Sequence, residues 1–147
     1  MKFALVVCAV LATAFAIGCI GQGGPDETGA KDCGTDLACI KASWGACEKA
    51  KVRTTQEVEG ITLKMYGLVK GGTSDACSVY LKVEDIIVPE NAPLEQKLGA
   101  ETLIKGKDMT CVAPVDQDVM ALSVDDLSKC SGSLADSINT IRGITGK

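Results

Sequence analysis

Histidine is absent from this chain. That absence removes catalytic triads with an imidazole base, His-ligated zinc and imidazole pH switching together. Aromatic residues are almost as scarce, and both phenylalanines, Phe3 and Phe15, fall in the first 15 positions. Only Trp44, Tyr66 and Tyr80 remain beyond them, so the core must be built from Val, Ile, Leu, Ala and Met. No C-x-x-C pair occurs among the cysteines, which argues against a thioredoxin-like redox centre and a thiolate zinc site. Positive charge is not in excess either: 15 basic against 19 acidic side chains give a net charge of -4, which argues against nucleic acid as a partner. Asp116, Asp118, Asp125 and Asp126 lack the glycine-turned loop and terminal Glu of a calcium site, and read as solvated carboxylates. Neither a metal nor a cofactor is expected.

Cysteine, by contrast, is plentiful, with eight in 147 residues. The first lies in a leader: Met1 to Ile20 opens with Lys2 and runs on uncharged through FALVVCAVLATAFAIGCI, the length of a signal h-region rather than a membrane span. Ala14-Phe15-Ala16 fits a small-x-small cleavage site, whereas Ala16-Ile17-Gly18-Cys19 resembles the lipobox of prokaryotic lipoproteins. Parity favours the second. Cys8 leaves with the leader, Cys33, Cys39, Cys47, Cys77, Cys111 and Cys130 form an even set, and a lipid on Cys19 accounts for the odd thiol. The expected organisation is a signal peptide over 1–18, a lipid-anchored flexible tether over 19–31 and a single disulfide-stapled domain over 32–147. Cys19 would then hold the protein to the membrane, at the outer face of the cytoplasmic membrane or the cell surface.

Within the domain, Leu37, Ile40, Trp44 and Cys47 recur at steps of three and four after Thr35, which predicts an amphipathic helix of about 15 residues with Thr35 as N-cap. Period-two alternation follows in Ala50–Val58, in Ile61–Val69 and in Cys77–Val83, with a Glu59-Gly60 turn between the first two. Matching apolar faces across a 71–75 loop predicts Met65 opposite Leu81 and Tyr66 opposite Tyr80, at the expense of placing Lys64 against Lys82. Pro93 to Leu98 reads as a short helix ended by Gly99, Met109–Val115 as a further strand, Ser123 with Asp126 as a capping box, and Leu134, Ile138 and Ile141 as the stripe of a short C-terminal helix. The expected fold class is α+β, an N-terminal helix packed across an antiparallel sheet of about four strands.

Six framework cysteines allow 15 disulfide maps. Cys39 and Cys47, eight residues apart on one helix, are separated by a rise of about 12 Å and cannot pair, and Cys33 lies further still from Cys47. The preferred map joins Cys33 to Cys39, Cys77 to Cys111 and Cys47 to Cys130.

Cys33-Gly34-x-Asp36-x-x-Cys39, Cys47-x-x-Ala50-Lys51, Cys77 ahead of an alternating strand, Gly106-Lys107-x-Met109-x-Cys111 and Cys130-x-Gly132 together span most of the chain after the leader. In this spacing the sequence resembles small uncharacterised secreted archaeal proteins with a six-cysteine framework. That resemblance implies export and disulfides, and brings no activity with it.

Functionally, these readings point to an exported, non-catalytic interaction or structural domain of the cell surface with an unknown protein or surface partner. Tyr66, Leu68 and Tyr80, on the outer side of the sheet, are the candidate partner surface if no second layer covers them; the favoured reading instead is that the C-terminal helix or the Val88 to Gly99 segment packs there. The alternative is a small-ligand module using the face of a curved sheet. A hydrolase of unusual type ranks last, for want of a base and of paired carboxylates.

Overall fold

The computed structural model describes residues 24–58, 60–117 and 127–145, so the expected leader, Cys19 and the expected Ser123–Asp126 capping box lie outside the described residues. Among the described residues, six strands and three helices follow one another as β1 (Lys31–Asp32), α1 (Leu37–Gly45), β2 (Ala50–Val58), β3 (Ile61–Gly72), β4 (Ala76–Ile87), α2 (Leu94–Leu103), β5 (Asp108–Pro114), β6 (Cys130–Ser131) and α3 (Ser133–Thr145). The strands form one sheet in sequential order, antiparallel except that β1 runs parallel to β2.

This corrects the expected fold class. The sheet has six strands rather than about four, it is mixed, and it dominates the molecule while the helices stay short. The two missing strands, β1 and β6, are two residues each, too short to leave an alternating pattern.

The first helix is also shorter than its stripe implied. Asp36 rather than Thr35 caps it, its carboxylate accepting from the amides of Ala38 (2.8 Å) and Cys39 (3.2 Å). At the other end the Cys47 N–H donates to Trp44 O and the Glu48 N–H to Ser43 O, the paired bonds of a Schellman cap. Cys47 holds the left-handed position of that cap at φ 51°, where glycine is usual, and so lies beyond the helix. The other two helices run longer than expected. Gly99 does not end α2, which continues to Leu103, and α3 extends over 13 residues.

Between β3 and β4 the register differs from the expected one by two residues. Met65 pairs with Val83, Tyr66 with Lys82 and Leu68 with Tyr80, because the strands extend to Gly72 and from Ala76 and leave a tighter turn. A two-residue slip keeps every side chain on its face, so apolar alternation could not distinguish the two registers. Charge could have helped: an irregularity between Lys64 and Met65 shifts the register by one further residue, so Lys64 lies opposite Asp85 and pairs with it at 3.5 Å, and the expected Lys64–Lys82 conflict never arises.

One face of the sheet carries the core. Ala50, Val52, Val69, Val79, Met109 and Cys111 are buried there against Ile40 and Trp44 of α1, with Leu134 and Ala135 of α3 completing the cluster. Trp44 is 3% exposed, and its indole Nε1 donates to Gln117 O at 2.9 Å, joining the helix to the segment after β5.

Candidate functional site

The opposite, outer face of the sheet is built from charge and hydroxyl groups. Alternation sends Lys51 and Arg53 of β2, Tyr66 and Leu68 of β3, Tyr80 and Lys82 of β4, and Asp108 and Thr110 of β5 to this side, and the ladder pairs Lys51 with Leu68, Arg53 with Tyr66, Leu68 with Tyr80 and Tyr80 with Thr110. Tyr66 and Tyr80, diagonal neighbours, meet edge to face with ring centroids 6.3 Å apart, and the Arg53 guanidinium stands 5.1 Å from the centroid of Tyr66.

The three candidate partner-surface residues are thus on the expected side, and two of them are covered. Leu68 is fully buried and Tyr66 is 4% exposed. Residues 24–31, expected as flexible tether, supply cover. The Tyr66 hydroxyl donates to Glu27 Oε1 at 2.7 Å and the Lys51 ammonium reaches Glu27 Oε2 at 3.0 Å, while Lys49 pairs with Asp26 at 3.6 Å. Parallel pairing then fixes the segment to the sheet edge: the Lys31 N–H donates to Lys49 O, the Cys33 N–H to Lys51 O, and the Arg53 N–H to Gly34 O. The Gly-rich composition that read as a linker supplies the turn instead, with Gly29 at φ 75°. The ordered domain accordingly includes residues ahead of Asp32.

Electrostatics follow from these contacts. The Tyr66 hydroxyl, and after it Lys51, hold the Glu27 carboxyl below its ordinary value. Burial first, then the hydrogen bond to Glu27, pushes the Tyr66 phenol far upward, and burial with the Asp108 bond pushes Tyr80 up to about 12. Both phenols are neutral donors at physiological pH.

Among the described residues, clefts open on this face, three of which bear on the site. The largest, about 510 Å³, lies among Gly24, Tyr80, Lys82, Lys107, Asp108 and Ser133. A second of about 210 Å³ continues from it past Arg53, Tyr66 and Glu84, and a third of about 250 Å³ lies between β1 and β2 beside Thr35 and Tyr66. In the large cleft Asp108 accepts from the Tyr80 hydroxyl at 3.0 Å and from the Ser133 hydroxyl at 3.1 Å. Gly132 makes the latter contact possible, because at φ 123° its Cα lies so close to β5 that a Cβ would stand 2.7 Å from the Asp108 carbonyl. Sequence reasoning missed Lys82, Lys107 and Asp108 because each reads as an ordinary solvated charge, and only the pairing of β4 with β5 gathers them. Among the described residues, no three His, Cys, Asp or Glu side chains converge as a metal site.

The six framework cysteines close three bridges, Cys33–Cys39, Cys47–Cys77 and Cys111–Cys130. The first is the expected one; the other two replace Cys77–Cys111 and Cys47–Cys130. Cys77 lies opposite Ala113 and Cys111 opposite Val79, so the two cysteines share a face but are offset diagonally, beyond easy reach of a disulfide. Cys111 instead faces Cys130 directly across β5 and β6, with alpha carbons 4.0 Å apart, and Cys47, turned by the helix cap, meets the start of β4. Three disulfides belong to an oxidising, extracytoplasmic environment. No helix among the described residues is long and apolar enough to cross a membrane. No family model matches the chain, and no curated protein or solved structure matches it either.

Proposed function

We propose that the protein is an exported domain, held to the membrane by a lipid on Cys19, that acts by binding at the outer face of its sheet rather than by catalysis. The observation that carries this reading is the contrast between faces. The inner one is filled by the apolar cluster, while all three clefts described above open on the outer one, amid tyrosine hydroxyls and charged groups. The carboxylates there are engaged, Glu27 by Tyr66 and Lys51, Glu84 by Arg53 at 3.2 Å and Asp108 by Tyr80 and Ser133, which suits recognition better than general acid–base chemistry. Intact mass of the native protein tests the anchor: a mature chain beginning at a lipid-modified Cys19 supports it, and an unmodified thiol with a start at Ile17 overturns it. Two chains rather than one would give stable attachment.

The large cleft favours a small ligand over a flat protein contact, since its volume lies within the range of small-molecule sites. A melting-temperature screen against envelope sugars, organic acids and peptides reads out such binding directly.

A further inference from the structure

On the outer face the fold already holds one carboxylate, and the way it does so can be read residue by residue. Glu27 accepts a hydrogen bond from the Tyr66 hydroxyl on one oxygen and from the Lys51 ammonium on the other. One strand further on, the large cleft offers the same pair of residue types. Tyr80 lines it, and so do Lys82 and Lys107, neither of which has an ion-pair partner among the described residues. Its one carboxylate, Asp108, is committed to Tyr80 and Ser133, so the lining holds two lysines and a single, already bonded anion. A space of about 510 Å³ is many times the share of one water molecule, and the residues that line it are glycine, tyrosine, lysine, aspartate and serine, with no aliphatic side chain among them.

Resting on the reading of the outer face as a binding surface, we infer that the cleft between Tyr80, Lys82 and Lys107 takes a small hydroxyl-rich carboxylate, a sugar acid of the uronic type. Lys82 and Lys107 pair with the carboxylate. The sugar hydroxyls exchange hydrogen bonds with Tyr80, Asp108 and Ser133, whose oxygens keep accepting capacity beyond their mutual bonds. Such a group occurs free or within an acidic polysaccharide, and the chemistry of recognition is common to both.

The test uses the full mature chain in detergent, titrated by calorimetry with D-glucuronate, D-glucose, inorganic phosphate and an oligoglucuronate at equal ionic strength. Saturable glucuronate binding, at least about tenfold tighter than glucose or phosphate, is expected. The double variant Lys82→Ala/Lys107→Ala should lose about tenfold or more, with Lys129→Ala unchanged and melting temperature as the check of folding. If the double variant does not fold, Lys82→Gln and Lys107→Gln singly serve the same purpose. An oligomer that binds more tightly than the monomer assigns the ligand to a polysaccharide, and equal affinity assigns it to the free acid. Glucose or phosphate binding as tightly as glucuronate, or no saturation into the tens of millimolar, overturns the inference. Those results leave the anchoring result at Cys19 untouched, and an unmodified Cys19 would leave glucuronate binding untouched, so the two failures are distinguishable.

Discussion

The two faces of this sheet are made from the same strands by the same alternation, yet they are held by different physics. On the inner face Val, Met and Cys side chains lose their water and pack against Trp44 and Ile40, a contribution of about 25 cal/mol for each Å² of apolar surface removed. On the outer face, tyrosines and charges meet in pairs that water competes for, where a single exposed ion pair contributes at most about 1 kcal/mol. The inner face therefore determines whether the chain folds, and the outer face is free to vary its chemistry.

The largest effect should come from the inner face. Trp44→Ala removes a buried indole and its bond to Gln117, and a loss of about 4 kcal/mol is expected in denaturant unfolding. Opening the Cys47–Cys77 bridge with the double serine variant should lose about 3 kcal/mol, because it frees a loop of sequence separation 30 and releases the left-handed Cys47 that caps α1. If either change leaves unfolding unaltered, the core is not where stability resides.

On the outer face Tyr66→Phe keeps the ring and deletes only the hydroxyl bond to Glu27, so about 1 kcal/mol is expected, and release of residues 24–30 without global unfolding. pH sharpens the same contrast. Tyr80, raised to about 12 in the folded state from an ordinary 10, contributes stability that is complete below pH 10 and lost as pH climbs from 10 toward 12. Glu27, Asp26 and Asp85 have folded values below their ordinary 4.5, 3.8 and 3.8, so their contribution is present above those values and disappears as pH falls through the lower folded ones. Melting temperature against pH should therefore decline at both ends, and Tyr66→Phe should flatten part of the acid limb. Smallest of all, Arg53→Ala removes an exposed pair with Glu84 and the contact over Tyr66, and no more than about 0.5 kcal/mol is expected.

The same difference explains what was legible in the sequence. Apolar spacing marked Ile40, Trp44, the alternating strands and the Leu134 stripe, because burial leaves a periodic trace. The Val58–Ile61 register followed from the turn, but the β3–β4 register did not, since a slip of two residues preserves the trace and only the Lys64–Asp85 charge match distinguishes the two. Cys47 misled because its spacing continues the helical stripe while its backbone has already left the helix, and that misplaced the second and third bridges. Residues 24–31 misled for the opposite reason. Their Gly and charge content matches a linker, yet Asp26, Glu27 and the Lys31 amide each find a partner far along the chain, and such pairings leave no local pattern.

Hydrogen exchange of the amides in this leading segment tests the contrast of faces most directly. Lys31 and Cys33 donate to β2, so the account expects their exchange to be slowed well beyond that of an unstructured chain, and to quicken in Tyr66→Phe while Val79 and Met109 in the core remain unchanged. Exchange of Lys31 and Cys33 at the unstructured rate in the native protein, or equal quickening of core and segment in the variant, would contradict it.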